Sequence, residues 1–195
     1  MQTTDVDVAA AAVNDGALIA YPTETVYGLG ADALDATAVE RVFDAKGRDR
    51  ENPISLAVPT VEAATEYTRA TDRERAFMHH FLPGPVTVVC QRRDSVPDAL
   101  TAGRARVGVR VPDHDLAREL LAATGPLTAT SANISGEPSA RRLADIQASL
   151  RERLAVALDG GTVPGGGSTV VDVSGGEIHR RGRQADAVAQ WLTEH

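Results

Sequence analysis

The sequence predicts an α/β fold in which helices cover a mixed β-sheet. Short apolar segments of strand length alternate with longer segments whose apolar residues recur at helical spacing. Glycine and proline residues separate these segments. The chain has 195 residues, of which 43% are hydrophobic, and this is enough for one domain with a complete core. No internal repeat or linker is evident, so we expect residues 1–195 to form a single domain.

Helices are predicted where apolar residues share one face and a cap or a glycine marks an end. Asp35 is an expected N-cap, and Gly16 and Gly47 are expected just beyond two helix ends. The predicted helices are 5–15, a segment between Asp35 and Gly47, 61–67, 72–81, 113–123, 139–154 and 185–192. The predicted strands are 17–20, 54–58, 86–90, 107–111, 127–130, 155–158, 169–173 and 178–181.

Three of the predicted strands lie beside polar, glycine-containing segments. Residues 21–30 read YPTETVYGLG, residues 126–136 read PLTATSANISG, and residues 165–172 read GGGSTVVD. A strand that meets a stretch of hydroxyls and glycines is typical of a binding loop at a sheet edge. We therefore expect the three segments to form one cleft.

The charge balance argues against a protein that holds long nucleic acids. Lys and Arg number 20, Asp and Glu number 27, and the formal net charge is −7. Lys46 is the only lysine, while alanine and the acids are abundant. This bias fits a high-salt cytoplasm or a GC-rich genome, and in strong salt the charge argument weakens because charges are screened.

The single cysteine, Cys90, allows no disulfide within the chain and no cysteine-based metal site. A reducing compartment is therefore expected. The N-terminus shows no signal peptide, and no apolar stretch reaches membrane-spanning length. We expect a cytoplasmic protein.

The first candidate site is the segment from Lys46 to Pro53. Lys46 lies at a predicted helix end two residues before Arg48, so that two cations could face one ligand such as a triphosphate. Alternatively, these basic side chains only offset the helix dipole. The segment is not a Walker A loop, and no G-x-G-x-x-G follows a strand.

Two further candidates are Arg110 and the segment 130–136. Ser131 and Asn133 could bond a nucleotide phosphate or ribose, or they could bond only their own turn. Arg110 lies inside an apolar strand, so it needs a partner, which could be a bound carboxylate or a structural acid. The histidines show no metal or triad spacing and are expected to be structural or exposed: His79, His80, His114 and His179.

Taken together and in order, these motifs resemble those of the YrdC family, the threonylcarbamoyl-AMP synthases. The resemblance covers about residues 10–185. The motifs are YPTETVYGLG at 21–30, Lys46-x-Arg48 with Asn52-Pro53, PGPVT at 83–87, VRVP at 109–112, TSANISG at 130–136, STVVD at 168–172 and IHRRG at 178–182.

The resemblance implies a twisted mixed sheet with helices on its faces and a large concave cleft. It implies a nucleotidyltransferase that joins L-threonine, bicarbonate and ATP into threonylcarbamoyl-AMP and releases pyrophosphate. Mg²⁺ would accompany ATP by bridging its phosphates. The product would pass to a tRNA threonylcarbamoyl transferase complex, and we expect this chain to bind tRNA weakly or not at all.

The resemblance also implies roles for individual residues. Lys46 and Arg48 would face the phosphates as the catalytic residues, and the chain would supply no metal site. The implied ATP contacts are Lys46, Arg48, Asn52, Ser131, Asn133, Ser139 and Arg180. The implied threonine contacts are Thr25, Arg110 and Ser168, with the guanidinium of Arg110 on the carboxylate.

The sequence departs from the family pattern at two points, and an extra C-terminal domain of longer members is not expected. The segment Leu56-Ala57-Val58 lacks a histidine that the family often has, and Arg106 stands where a small hydroxyl residue is commoner. The chain ends at His195 without the extra domain of longer members, so we expect shelter of the labile product to depend on this domain or on a partner.

The sequence leaves two other functional classes open. One is a non-catalytic RNA-binding module of the same fold, which would need a basic concave face, whereas the arginines are scattered along the sequence. The other is carbamoyl transfer in hydrogenase maturation, which uses a related domain in a much longer chain with zinc-binding cysteines.

Overall fold

A computed structural model describes residues 1–195 and contains a ten-stranded sheet. The strands are β1 (Gln2–Thr3), β2 (Ile19–Tyr21), β3 (Gly28–Gly30), β4 (Ser55–Ala57), β5 (Val86–Gln91), β6 (Arg106–Arg110), β7 (Leu127–Ser131), β8 (Val156–Leu158), β9 (Thr169–Asp172) and β10 (Glu177–Arg180). Their order across the sheet is β1-β8-β2-β3-β7-β4-β6-β5-β9-β10. Five neighbouring pairs are antiparallel and four are parallel, which confirms the predicted mixed sheet.

Eight helices accompany the sheet, and their caps follow the sequence signals. The helices are α1 (Val6–Asn14), α2 (Ala36–Lys46), α3 (Val61–Ala64), α4 (Asp72–Phe81), α5 (Asp98–Thr101), α6 (Asp115–Thr124), α7 (Ala148–Arg151) and α8 (Ala185–Glu194). Asp35 caps α2 as predicted, Asp5 caps α1, and Gly47 ends α2 in the left-handed conformation. None of these helices combines the length and apolar composition that crossing a membrane requires.

One face of the sheet is covered along its length by helices. Alternate strand residues point to opposite faces, and on this face Val88, Val109 and Val171 belong to one large apolar cluster. The same cluster includes residues of α2, α4 and α8, such as Val39, Phe77 and Val188. The burial of these side chains is the main source of stability on this face.

The opposite face is covered at one end only. There α1 and α6 pack together, and Val13 and Leu120 join Ile19, Leu127 and Leu158 in a second apolar cluster. The remaining part of this face, formed by β4, β5, β6 and β9, carries no helix over it and forms the floor of a cleft.

Three elements of the structure were not predicted. The strands β1 and β3 and the short helix α5 lie in segments without a strong periodicity. In β3 the glycines are needed because a Cβ at Gly28 would lie 2.8 Å from the ring of Tyr21.

The helix predicted over 139–154 does not form. The segment instead contains a 3₁₀ turn, Leu143–Asp145, and then α7. Ile146 between them is extended, and its carbonyl accepts a hydrogen bond from Arg151 at 2.8 Å. A side-chain donor therefore satisfies a carbonyl that a continuous helix would have paired through its backbone. The predicted helix 61–67 also ends early, at Ala64.

Candidate functional site

The uncovered part of the sheet forms the floor of a cleft of about 1070 Å³. Thr25, Ser131 and Ser168, one from each polar segment, all line it. The expectation that the three segments meet in one cleft is therefore confirmed. Strand β6 contributes Arg106, Gly108 and Arg110 to the floor, because its alternate residues Val107 and Val109 point into the core.

Eight of the ten residues expected at the site line this cleft. They are Thr25, Arg48, Asn52, Arg110, Ser131, Ser139, Ser168 and Arg180. Lys46 and Asn133 lie outside the lining and are buried beneath it.

The side chain of Lys46 is 2% exposed and is directed at the loop that follows β7. Its ammonium donates to the carbonyl oxygens of Ser131 and Asn133, the latter at 2.7 Å. Burial, and then the nearby charge of Arg48, lower the pKa of Lys46 to about 8. In this structure Lys46 stabilises the loop that contains Ser131 and Asn133. Direct contact of its ammonium with ATP stays a prediction.

Asn133 is likewise engaged within its own loop. Its amide donates to the carbonyls of Ile134 and Glu137, both at 2.8 Å, and its side-chain oxygen accepts from the hydroxyl of Ser131. These are the contacts expected of a self-bonded turn, the alternative that the sequence left open. The loop is consequently held in one shape, with Ser131 presented at the cleft wall.

Arg48 is held at the mouth of the cleft by the turn that follows it. Its Nε donates to the carbonyl of Asn52 at 2.9 Å, and Nη2 donates to that of Pro53 at 3.0 Å. Both partners are neutral, and burial lowers the pKa of Arg48. A guanidinium fixed by neutral carbonyls keeps its full charge for an anionic ligand.

Arg180 lies opposite, on the edge strand β10. It donates through Nη2 to the hydroxyl of Ser168 at 2.9 Å, and that hydroxyl is 3.1 Å from the hydroxyl of Thr87. Burial, followed by repulsion from Arg110 and Arg48, lowers the pKa of Arg180. Arg180 therefore lies close enough to Arg110 and Arg48 for their charges to repel its own.

Arg110 has two side-chain partners on the 21–30 segment. Its Nη2 donates to the hydroxyl of Thr25 at 2.8 Å and lies 2.9 Å from a carboxylate oxygen of Glu24. An acid partner for Arg110 therefore exists within the protein, as one of the two alternatives expected. The guanidinium nevertheless lines the cleft, so that the ion pair and a bound carboxylate are compatible.

Arg106, one of the departures from the family pattern, is also engaged. Its Nη2 donates to Asp172 at 2.7 Å and to the carbonyl of Val89 at 2.7 Å. The other departure is the segment 56–58, which lacks the histidine that the family often has there, and Ala57 of this segment lines the cleft. A histidine does line the cleft, but it is His179 of β10.

The cleft contains functional candidates that the sequence reasoning missed. They are Arg104, Asp172 and His179 in the lining and Glu24 behind it. Strand alternation was a usable signal for Asp172, because the buried Val171 and Val173 flank it. Arg104 follows α5, which was not predicted, and it carried no such signal.

The electrostatic expectation needs a correction. The arginines are spread along the sequence, but the fold gathers five of them in the cleft with one carboxylate, that of Asp172: Arg48, Arg104, Arg106, Arg110 and Arg180. A chain with a net charge of −7 therefore has a basic concave face.

No group of three or more His, Cys, Asp or Glu side chains is arranged to hold a metal ion. Cys90 is buried, and burial raises the pKa of its thiol. His80 packs edge-on against Phe81 on α4. These side chains take no part in the cleft.

Comparison with known proteins finds relatives in sequence and in fold. The Sua5/YciO/YrdC family model, described as "telomere recombination", matches residues 11–182. Threonylcarbamoyl-AMP synthase of Pyrococcus abyssi is 39% identical over 170 residues, which are 86% of this chain and 50% of that protein. Threonylcarbamoyl-AMP synthase of Bacillus subtilis is 37% identical over 166 residues, 83% of this chain and 48% of that protein.

A crystal structure of P. abyssi Sua5 complexed with L-threonine superposes with a TM-score of 0.87 at 36% identity. The superposition covers 94% of this chain and 56% of the Pyrococcus chain. The chain described here thus spans about half the length of these relatives.

Proposed function

The chain belongs to the Sua5/YciO/YrdC family, and on that basis we propose that it is an L-threonylcarbamoyladenylate synthase. L-threonine, bicarbonate and ATP would be its substrates, and threonylcarbamoyl-AMP and pyrophosphate its products. The names of the Pyrococcus and Bacillus relatives support this activity.

The observation that carries the proposal is the convergence of Arg48, Arg110 and Arg180 in the cleft. Arg48 and Arg180 have only carbonyl and hydroxyl partners, so their charges are not neutralised by the protein. Cations held close together against their mutual repulsion are stabilised by a polyanion such as a triphosphate. The nucleotide would lie between Arg48, Asn52, Ser131, Ser139 and Arg180.

The amino acid would lie at the Arg110 end of the cleft. A guanidinium binds a carboxylate through two parallel hydrogen bonds. Thr25 and Ser168, which contact Arg110 and Arg180 respectively, offer hydroxyls to the polar groups of threonine. The threonine-bound Pyrococcus structure, which has the same fold, supports a threonine site in this family.

The chemistry requires placement and charge neutralisation rather than a protein nucleophile. The amine of threonine would displace water from bicarbonate to give a carbamate. A carbamate oxygen would then attack the α-phosphorus as the bond to pyrophosphate breaks. Arg48 and Arg180 would stabilise the charge that develops on the phosphate oxygens. Lys46 would keep the loop from Ser131 to Asn133 in position to contact the nucleotide.

Magnesium would enter as part of the substrate MgATP. The cleft lining offers one carboxylate, Asp172, and this is too few for an all-protein cage. Mg²⁺ is usually held by phosphate oxygens, waters and one or two carboxylates, so the lining fits a nucleotide-borne ion. It would bridge phosphates and reduce their charge.

We propose a cytoplasmic location and transient transfer of the product to a tRNA threonylcarbamoyl transferase complex. The basic cleft meets the charge requirement of the RNA-binding alternative, but its lining offers few side chains on which bases could stack. Tyr21 is the only Phe, Tyr or Trp side chain in the lining, whereas single-stranded nucleic acid binding relies on several stacking surfaces.

The test is pyrophosphate release from MgATP, measured with all substrates and with threonine, bicarbonate or Mg²⁺ omitted in turn. We expect release only in the complete mixture, together with a product whose mass is that of threonylcarbamoyl-AMP. Equal pyrophosphate release without threonine would refute the proposed reaction.

A further inference from the structure

We infer that Glu24 is a positioning residue for the amino-acid substrate and acts through Arg110. The inference rests on the proposed function, because it assumes that Arg110 receives the carboxylate of threonine. Glu24 does not line the cleft, whereas Arg110 does.

The contacts of Arg110 show how the positioning works. One nitrogen, Nη2, is 2.9 Å from Oε1 of Glu24 and donates to the hydroxyl of Thr25 at 2.8 Å. Both side chains are largely buried, with 11% of Arg110 and 15% of Glu24 exposed. The guanidinium is thus fixed at one nitrogen, while its buried Nε has no partner in the protein. Because Nε is buried, a ligand in the cleft would reach the guanidinium at its other terminal nitrogen, Nη1.

The carboxylate of Glu24 is held at a cost. Both of its oxygens are buried, and neither makes an aligned hydrogen bond, since the contact to Arg110 is short but poorly directed. A buried carboxylate with one imperfect partner destabilises a fold compared with a neutral side chain of the same shape. The charge of Glu24 does compensate the largely buried guanidinium of Arg110, so its effect on the molecule passes through Arg110.

The charge of Glu24 has a clear effect on the cleft. Arg48 and Arg110 are close enough to Arg180 to lower its pKa by repulsion. Without a carboxylate behind it, Arg110 would be pushed away from the other two guanidinium groups. Glu24 holds the guanidinium in place from the inner side and leaves its outer side for the substrate.

The 21–30 segment is built to keep this arrangement rigid. The hydroxyl of Thr23 is 2.9 Å from that of Thr25 and donates to the carbonyl of Val26 at 2.7 Å. Gly165 in turn donates to the carbonyl of Thr25 at 2.7 Å. Glu24 and Thr25 therefore approach Arg110 from a loop whose shape is set by its own hydrogen bonds.

The test is titration calorimetry of Glu24→Gln with threonine and, separately, with MgATP. We expect the Kd for threonine to rise at least tenfold and the Kd for MgATP to change less than twofold. In an Arg110→Lys background the same Glu24→Gln change should alter the Kd for threonine less than twofold, because Glu24 acts on threonine through the guanidinium that this background lacks. Glu40→Gln, which removes an exposed acid paired with Arg50, is the matched control and should change neither Kd.

Other outcomes separate this inference from the proposed function. Wild-type protein that binds no threonine would refute the proposed function itself. If the wild type binds threonine and folded Glu24→Gln binds it with the same Kd, only the role of Glu24 is overturned. The same holds if Glu24→Gln weakens the binding of threonine and of MgATP equally. If Glu24→Gln does not fold, Glu24→Asp keeps the charge but shortens the arm, and an unchanged threonine Kd there would likewise overturn the inference.

Discussion

The two faces of the sheet are made from alternate residues of the same strands but have opposite character. On β6, Val107 and Val109 are buried under helices, whereas Arg106 and Arg110 line an open cleft. The face to which a residue points, rather than its neighbours in the sequence, decides whether it stabilises the fold or is available to a ligand. The two functions can therefore be altered independently.

Arg48 and Arg50 show the same contrast two residues apart. Arg50 lies on the surface and pairs with Glu40 and Asp44, both at 2.7 Å. Arg48 lines the cleft and bonds only neutral carbonyls. Exposed ion pairs contribute little to stability, while an uncompensated cation in a cleft attracts anions.

The largest effect is expected from breaking the covered face. Phe77 is fully buried, and its ring lies 4.9 Å from that of Trp191 in an edge-on contact. Phe77→Ala should lower the free energy of unfolding by about 3–5 kcal/mol, measured by urea denaturation. The Kd for threonine should stay within about twofold in the folded mutant, a change below 0.5 kcal/mol. A tenfold loss of threonine affinity would show that the two faces are coupled.

Lys46 is a buried charge at the end of α2, on the helix-covered side of the sheet. Lys46→Met should leave the carbonyls of Ser131 and Asn133 without their donor and lower the free energy of unfolding by about 1–3 kcal/mol. MgATP affinity should fall more than threonine affinity, because the loop carries Ser131. Calorimetry and thermal melts check both effects.

The control for Lys46→Met is Arg50→Met, which removes an exposed cation from the same region and should cost at most about 1 kcal/mol. A different result would revise the role of Lys46. If kcat/KM fell by about 10² to 10³ with no loss of stability, direct stabilisation of phosphate charge would be the better explanation.

The amino-acid end of the cleft is tested by Arg110→Lys. An ammonium cannot reproduce the planar fork that matches a carboxylate, so the KM for threonine should rise at least tenfold, or about 1.4 kcal/mol. The KM for ATP should change much less. Arg118→Lys, in an exposed pair with Asp115, is the matched control and should leave both constants unchanged. An unchanged KM for threonine in Arg110→Lys would contradict the assignment.

The smallest effect is a pH dependence of stability. The pKa of Lys46 is lowered from 10.5 to about 8 in the folded protein. Between these values the unfolded chain binds more protons, so the contribution of Lys46 to stability rises with pH. The wild type should gain roughly 1 kcal/mol over Lys46→Met between about pH 8 and pH 9. If the difference in the free energy of unfolding between the two proteins is the same at about pH 8 and pH 9, the pKa of Lys46 is not lowered.

The sequence was sufficient to predict the mixed α/β fold, the N-cap at Asp35, the helix end at Gly47 and the three polar segments of the cleft. These features depend on local chemistry, namely strand alternation, capping side chains and glycine conformations, and such signals lie within a few residues of one another. The family resemblance added further candidate residues, namely Thr25, Asn52, Ser139, Ser168 and Arg180, and all of them line the cleft.

Only the tertiary structure decided which charges face one another. Glu24 and Arg110 are distant in the sequence, as are Arg106 and Asp172, and nothing local pairs them. The same holds for Lys46, whose ammonium is buried beneath a loop that follows β7. Electrostatic and hydrogen-bond partners depend on distances of a few ångströms between remote segments, and those distances exist only after the sheet has brought the segments together.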